Sequence, residues 1–382
     1  MRKPLEGCRV IDFGIITAGA ATSALLADLG ADVIKVESPT YRDPFRAWLG
    51  GMSLAGGADC PPLFRSNNRG KRGISIDLKQ PAGRDAVLRL VAKSDVVLEN
   101  FRRGVLARLG LDVAALRGAN PELIVLSISG QGGVGPDAGQ VSYGSTLEAV
   151  GGLAWLTGYP GGAPVVSGRE LNYPDQVVAL FAAGAVLAAW LGRQRGEAGG
   201  AVIDVSQREL TSFLVGEAFL AAEAAGARGG NAAAEYALQG CYPSGDGRWV
   251  ALSVAPDELP ALARLLGVAE AGVPAALAAW LRGADAAGRV ALLKATGIAA
   301  AVVQGGADLA TSATPAWDHA FGTTPEGALI KAMPFRIDGL PFAVSRDAPA
   351  VGEHTHAVLA ELAGYDDDTL QTLTVSGVIE GP

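Results

Sequence analysis

Histidine and cysteine are both scarce, and their scarcity narrows the chemistry first. Three cysteines, Cys8, Cys60 and Cys241, are spread over 382 residues. No CxxC pair or Cys/His cluster occurs, so neither a disulfide framework nor a structural zinc site is expected, and no metal site is called. The three histidines, His319, His354 and His356, all lie in the C-terminal third. The rest of the chain therefore has no imidazole for general acid–base work. A basic excess is also missing. Lys and Arg number 31 against 39 Asp and Glu, giving a net charge of −8 and a pI near 5.1. That argues against nucleic acid or a membrane surface as partner. The N-terminal MRKPLEGCRVIDFG has no signal-peptide core, and a cytoplasmic protein is expected. The longest apolar run, Val177 to Leu191, is short and Ala/Gly-rich for a membrane span and reads as a buried helix. Two nucleotide signatures are absent. Gly14 and Gly19 are not spaced as GxGxxG, and Ile15, Ile16 and Thr17 stand where a pyrophosphate would approach. The loop GQGGVGP (Gly130 to Pro136) is not followed by GK[ST], so it is no P-loop.

What is present is a large apolar fraction, 49% against 18% charged, enough for two domains or one with an insertion. The first half alternates strand and helix patterns. Strands are predicted at Arg9–Phe13, Asp32–Val36 (ending on Glu37), Ile74–Asp77, Asp95–Glu99, Leu123–Ser129 and Ala201–Val205. Helices are predicted at Ala20–Leu29, Gly83–Lys93 and Tyr143–Leu153. This is the pattern of a parallel α/β sheet. Two polar and basic groups flank its strands: Arg69, Lys71 and Arg72, and then Asn100, Arg102, Arg103 and Arg108. Such sheets bind ligands outside the carboxyl ends of their strands, and two basic clusters at one rim suit a phosphorylated ligand. Residues 216–330 read as shorter elements. They include a hairpin turn at Ser244–Gly247, helices at Pro260–Leu266, Pro274–Leu281 and Ala286–Ala295, and a strand in GIAAAVVQ.

One carboxylate stands apart. Asp175 follows Pro174 directly before a helix of small apolar residues, Gln176 to Leu191. Proline is tolerated in a first helical turn. Four unpaired N–H groups and the helix dipole favour a negative charge there. From pattern alone, Asp175 reads first as a helix cap.

Several segments carry a resemblance: RVIDF…LLADLGADVIKVESP, NNRGKRGISIDL, SDVVLENFRRGVLARLGL, NPELIVLSISGQGGVGP, YGSTLEAVGGLAWLTGYPGGAP, YPDQVVALFAAGAVLAAWLGRQRGEAGGAVIDVSQRE and, near the end, APAVGEHTHAVLAELAGYDDDTLQTLTVSGVI. Together they resemble the family III CoA-transferases (CaiB/BaiF type), a group that includes formyl-CoA transferase, carnitine CoA-transferase and α-methylacyl-CoA racemase. The resemblance implies a Rossmann-like α/β large domain built from residues 1–215 and 331–382. It implies a smaller α+β domain with linkers at 216–330, and an interlocked dimer, either of identical chains or with a paralogous subunit. It implies coenzyme A and acyl-CoA as substrates, a carboxylic acid as acceptor and no permanently bound cofactor. It makes Asp175 the nucleophile, passing through an aspartyl anhydride and an aspartyl-CoA thioester. CoA contacts carry over to Ile15, Ile16, Thr17 and Ala18, to Asn68, Lys71 and Arg72, and to Asn100, Phe101 and Arg108.

Departures from the family pattern are visible. Ser38 stands where an arginine is usual, with Arg42 or Arg46 as substitutes. Val141 replaces a loop lysine, and the Gly-rich closing loop has no counterpart. A racemase needs a His within Asp137–Leu153, and none is there, which favours transfer. A racemase or epimerase, or a CoA-binding partner subunit of a heteromeric enzyme, remain the alternatives. His354 and His356 read as structural and His319 as a surface residue. Tyr143, Trp155, Tyr159 and Tyr173 point to a medium or bulky acyl group.

Overall fold

The computed structural model describes residues 3–49, 52–53, 60–167, 171–220, 228–311, 321–333, 335–338 and 343–381. His319 lies outside the described residues. Seven strands form the main sheet. Their order is Ile379–Glu380, Arg72–Ile76, Asp32–Glu37, Arg9–Asp12, Val96–Glu99, Ile124–Ser129 and Val202–Ser206. All neighbours pair in parallel except Ile379–Glu380, which returns antiparallel along the edge strand Arg72–Ile76. The runs IVLSIS and RVID are largely buried on both faces, as a parallel sheet covered by helices requires. One apolar layer gathers Ile11, Phe13, Ile34, Ile74, Val97 and Val125. The other gathers Val10, Val33, Val96, Ile124 and Ile128.

The chain starts in the middle of this sheet and builds outward first to one side, then to the other. The reversal falls between Arg9–Asp12 and Val96–Glu99. Open α/β sheets hold their ligands at such a reversal, beyond the carboxyl ends of the strands.

The described chain divides into two compact units. The first comprises Met1–Ala154, Val166–Leu220 and Pro315–Pro382. The second comprises Trp155–Val165 and Ala221–Thr314. The second carries its own three-stranded antiparallel sheet, in the order Ala299–Val302, Trp249–Val254, Leu238–Pro243. Its hairpin turns through Gly247 at φ 78°, a left-handed conformation that glycine adopts without strain. Helices Leu259–Leu266, Val273–Arg282 and Ala286–Ala295 close its core around Leu252, Leu262, Leu277 and Leu293.

Two helical expectations change. The segment expected as one helix from Tyr143 to Leu153 is two, Gly144–Val150 and Leu153–Leu156. They are separated at Gly152, whose φ is +92° and so breaks the helical path. The long helix extends from Tyr173 to Gln194 and is buried on one face only. Pro174, Val178, Ala179, Ala182, Ala183 and Val186 face the core. Each buried valine contributes about 2 kcal/mol by leaving water. Leu180, Phe181 and Leu191 on the other side are 46–52% exposed. Among the described residues this is the one helix long and apolar enough to cross a membrane, and in this fold it lies against the sheet and the first helix.

Candidate active site

Asp175 is the third residue of the helix Tyr173–Gln194, with Asn172 in the capping position. Three other helices bring their first turns to the same carboxylate. Gln207, which opens the helix Gln207–Leu214, donates from Nε2 to Asp175 Oδ1 at 3.2 Å. Gly144 opens Gly144–Val150, and a methyl group added to it would sit 3.2 Å from Asp175 Oδ2. The N–H of Ala18, which opens Ala18–Asp28, lies near enough to favour the charged form. Helix starts present unpaired N–H groups and positive dipole ends, so their convergence favours an anion. Burial opposes this and wins. It pushes the Asp175 carboxyl up to about 6, against the lowering effects of Gln207, of the backbone N–H of Asp175 itself and of Ala18. The result is a carboxylate that is ionised at neutral pH and poorly solvated, the condition in which a carboxylate is a useful nucleophile.

The loop from Gly14 to Thr17 leads from the first strand to Ala18, and it is tightly held. Asn100 Oδ1 accepts the N–H of Ile15 at 2.8 Å, and Asn100 Nδ2 donates to the carbonyl of Ile15 at 3.1 Å. Gly14 and Gly19, which make no dinucleotide fingerprint, have a packing role instead. A side chain on Gly19 would come within 2.5 Å of Asn100 Oδ1, and one on Gly14 would strike the backbone of Gly19 at 2.6 Å. Ile16 sits at φ 61°, a conformation that a β-branched residue adopts only under constraint. Its N–H is held by Asp43 Oδ1 at 3.2 Å.

Behind this loop lies a chain of buried charges. Lys35 Nζ donates to Asp43 Oδ2 at 2.9 Å and to the carbonyl of Gly14 at 2.7 Å. Lys71 Nζ donates to Asp12 Oδ2 at 2.9 Å, to Asn68 Oδ1 at 2.8 Å and to the carbonyl of Ala20 at 2.9 Å. Arg46 pairs with Glu37 and stacks over the Phe64 ring at 3.7 Å.

A cavity of about 450 Å³ opens at the strand reversal. Phe13, Ile15, Val36, Tyr41, Asn100 and Phe101 form its walls, and Arg102 and Arg108 stand on its rim. The Phe13 and Phe101 rings are 6.5 Å apart. The guanidinium groups of Arg102 and Arg108 are exposed and have no partner among the described residues. Tyr41 on the wall lies near Tyr143, the residue before Gly144. Burial pushes its phenol up, with Asp43 and Tyr143 adding to the effect. Loop 14–17 and this tyrosine pair thus connect the cavity to the surroundings of Asp175.

Against the sequence expectations, Ile15, Asn100, Phe101 and Arg108 line the cavity. Ile16, Thr17 and Ala18 continue from it toward Asp175. Asn68, Lys71 and Arg72 are placed elsewhere. Asn68 and Lys71 are completely buried in the charge network, and Arg72 is bonded to Asp32 and Glu361 at the edge of the sheet. Arg46 is buried against Glu37, and Arg42 pairs with Glu380. His354 accepts the N–H of Gly73 at Nδ1, and His356 bonds Thr374. Gln207 was not among the expected site residues. Its signal lay in SQRE, where Ser206 caps the helix by accepting the N–H of Glu209 at 3.2 Å. That capping pattern puts Gln207 at a helix start on the ligand-binding rim.

Comparison with known proteins decides the family. The family described as CoA-transferase family III matches residues 5–355. The chain belongs to CoA-transferase family III. It is 31% identical to the succinyl-CoA–D-citramalate CoA-transferase of Chloroflexus aurantiacus, over 99% of this chain and 98% of that one. It is 31% identical to the beta subunit of the succinyl-CoA–L-malate CoA-transferase of the same organism, over 98% of each. The crystal structure of a CAIB/BAIF family protein from Brucella suis superposes with a TM-score of 0.83 at 31% identity, covering 95% of this chain and all of that one. This family III CoA-transferase is an enzyme that moves CoA and uses CoA thioesters as substrates.

Proposed function

We propose that this enzyme transfers CoA from an acyl-CoA to a carboxylic acid through covalent intermediates on Asp175, with short dicarboxylic acids as the acyl groups. The observation that carries the reading is the Asp175 carboxylate at the meeting point of four helix starts, half-buried and ionised at neutral pH. In the first step a carboxylate oxygen bonds to the thioester carbonyl carbon, the C–S bond breaks, and CoA leaves as thiolate with the electron pair. The thiolate then attacks the aspartyl carbonyl of the mixed anhydride, releasing the donor acid as carboxylate and leaving an aspartyl-CoA thioester. The acceptor carboxylate repeats the two steps in reverse order. No proton has to move, which suits a site with no histidine among the described residues around Asp175. The N–H groups of the helix starts stabilise each developing oxyanion.

Dicarboxylates are favoured by the relatives, whose names pair succinyl-CoA with citramalate or malate. CoA occupies the 450 Å³ cavity in this reading, with the adenine against Phe101 and the phosphates toward Arg102 and Arg108. Loop 15–18 carries the pantetheine toward Asp175. Asn68 and Lys71 then brace Asp12 and the helix after the loop, and Arg72 ties the sheet edge, instead of touching CoA.

The intermediates give a direct test. Incubation with succinyl-CoA and hydroxylamine is expected to leave a hydroxamate on the peptide that carries Asp175. A hydroxamate on another residue, or none, would sink the reading. The CoA site has its own check. Arg108→Ala removes one charge-assisted phosphate contact, so KM for the acyl-CoA is expected to rise about tenfold with kcat little changed. An unchanged KM would place CoA elsewhere.

A further inference from the structure

The two oxygens of Asp175 are not equivalent. Oδ1 receives the Gln207 amide at 3.2 Å. Oδ2 faces Gly144, whose backbone packs closely against it because no side chain intervenes. An added methyl would stand 3.2 Å from Oδ2, 3.2 Å from the Asn172 Cα and 3.3 Å from Asn172 Oδ1. Gln207 is itself buried and fixed at the start of its helix, where its carbonyl accepts from Thr211 Oγ1 at 2.7 Å. A buried amide with little freedom holds one oxygen in place. The glycine opposite the other lets the start of Gly144–Val150 lie against it, where any side chain would crowd that oxygen.

We propose that Gln207 is a positioning residue that fixes Oδ1 of Asp175, so that Oδ2 is the oxygen that attacks the thioester. The proposal rests on Asp175 as the nucleophile and adds which oxygen reacts and what directs it. In the attack, an Oδ2 lone pair forms the bond to the thioester carbon, and the C–S electron pair leaves with CoA thiolate. Gln207 keeps its bond to Oδ1, which becomes the carbonyl oxygen of the anhydride. An amide N–H suits both the carboxylate and this carbonyl, so the bond need not break during the reaction. The same bond lowers the pKa of Asp175. The other influences are burial, the backbone N–H of Asp175 and the N–H of Ala18, none of which is a charged group.

The experiment measures the rate at which the Asp175 adduct forms from succinyl-CoA under hydroxylamine trapping, as a function of pH, in the full-length wild type, Gln207→Leu and Gly144→Ala. Gln207→Leu keeps the volume and removes the donor. It should slow adduct formation about tenfold to a hundredfold at saturating acyl-CoA, with KM unchanged, and move the acid limb of the rate to higher pH. A merely structural role would not move that limb. Alanine is a better helix former than glycine, so Gly144→Ala should fold and should slow the same step while CoA binding stays as in the wild type. Gln207→Leu reacting at the wild-type rate with an unmoved limb overturns the positioning role. Gly144→Ala reacting at the wild-type rate overturns the Oδ2 assignment. An adduct missing from Asp175 in the wild type overturns the nucleophile reading itself, and this proposal with it.

Discussion

Replacing Asp175 by asparagine is expected to lower CoA transfer by roughly ten-thousandfold or more and, at the same time, to stabilise the protein near pH 8. The loss follows from chemistry, because an uncharged amide does not form the anhydride. The gain follows from burial. Burial raises the folded-state pKa of Asp175 to about 6, above its ordinary value of 3.8. A group raised in this way gives its full stability below the unfolded value, and that stability is lost as pH rises through about 6. Near pH 8 the ionised side chain therefore costs about 2 to 3 kcal/mol, which asparagine avoids. Near pH 4 most of the difference should vanish, because wild-type Asp175 is protonated in the fold. Urea unfolding of both proteins at the two pH values checks the sign. If asparagine were destabilising near pH 8, the four helix starts would be holding the charge more strongly than burial opposes it. CoA affinity, measured by calorimetry on the same variant, should be unchanged, since the cavity residues are untouched.

The fold was legible where residue type and spacing left one solution. Runs such as RVID and IVLSIS are too short and too β-branched for helices and alternate with helical stretches, so a parallel sheet follows. The edge pair Ile379–Glu380 was not legible, because two residues carry no periodicity and their partner Arg72–Ile76 is remote in sequence. The placement of Asp175 at a helix start and of Asn100, Phe101 and Arg108 just after a strand was legible, and the last three line the cavity. It was less so for Lys71 and Arg72. A basic residue before a strand is equally suited to a phosphate and to an acid on the neighbouring strands, and the fold supplied Asp12 and Asp32. The sequence did carry a sign of this. Asp12 and Lys35 interrupt otherwise apolar strands, and two central strands seldom carry opposite charges at matched positions unless those charges share a buried network. In the parallel register Asp12 stands opposite Lys35.

That network is where the second large effect is expected. Lys35 and Asp43 are completely buried or nearly so, and both touch the loop before Ala18. Burial works against the Lys35 charge, and the carboxylates of Asp43, Asp12 and Glu37 more than offset it, holding its pKa above the ordinary lysine value. Lys35→Met removes the cation and leaves those carboxylates facing each other without it. Breaking one side of a buried pair costs about 3 to 5 kcal/mol, far more than a surface pair, whose loss costs about 1 kcal/mol at most. The same change frees the carbonyl of Gly14 and weakens the hold on Asp43, whose other oxygen keeps Ile16 at φ 61°. A strained conformation of that kind costs about 1 to 3 kcal/mol and persists only while its surroundings impose it. The loop should therefore relax, and CoA transfer should fall even at temperatures where the variant remains folded. The double variant Lys35→Met, Asp43→Asn removes a charge from each side. It should recover part of the stability and little of the activity, because asparagine carries no charge to hold the loop. Thermal unfolding and kcat of the two variants separate these effects. A Lys35→Met protein with wild-type stability and activity would show that the buried pair carries neither fold nor site.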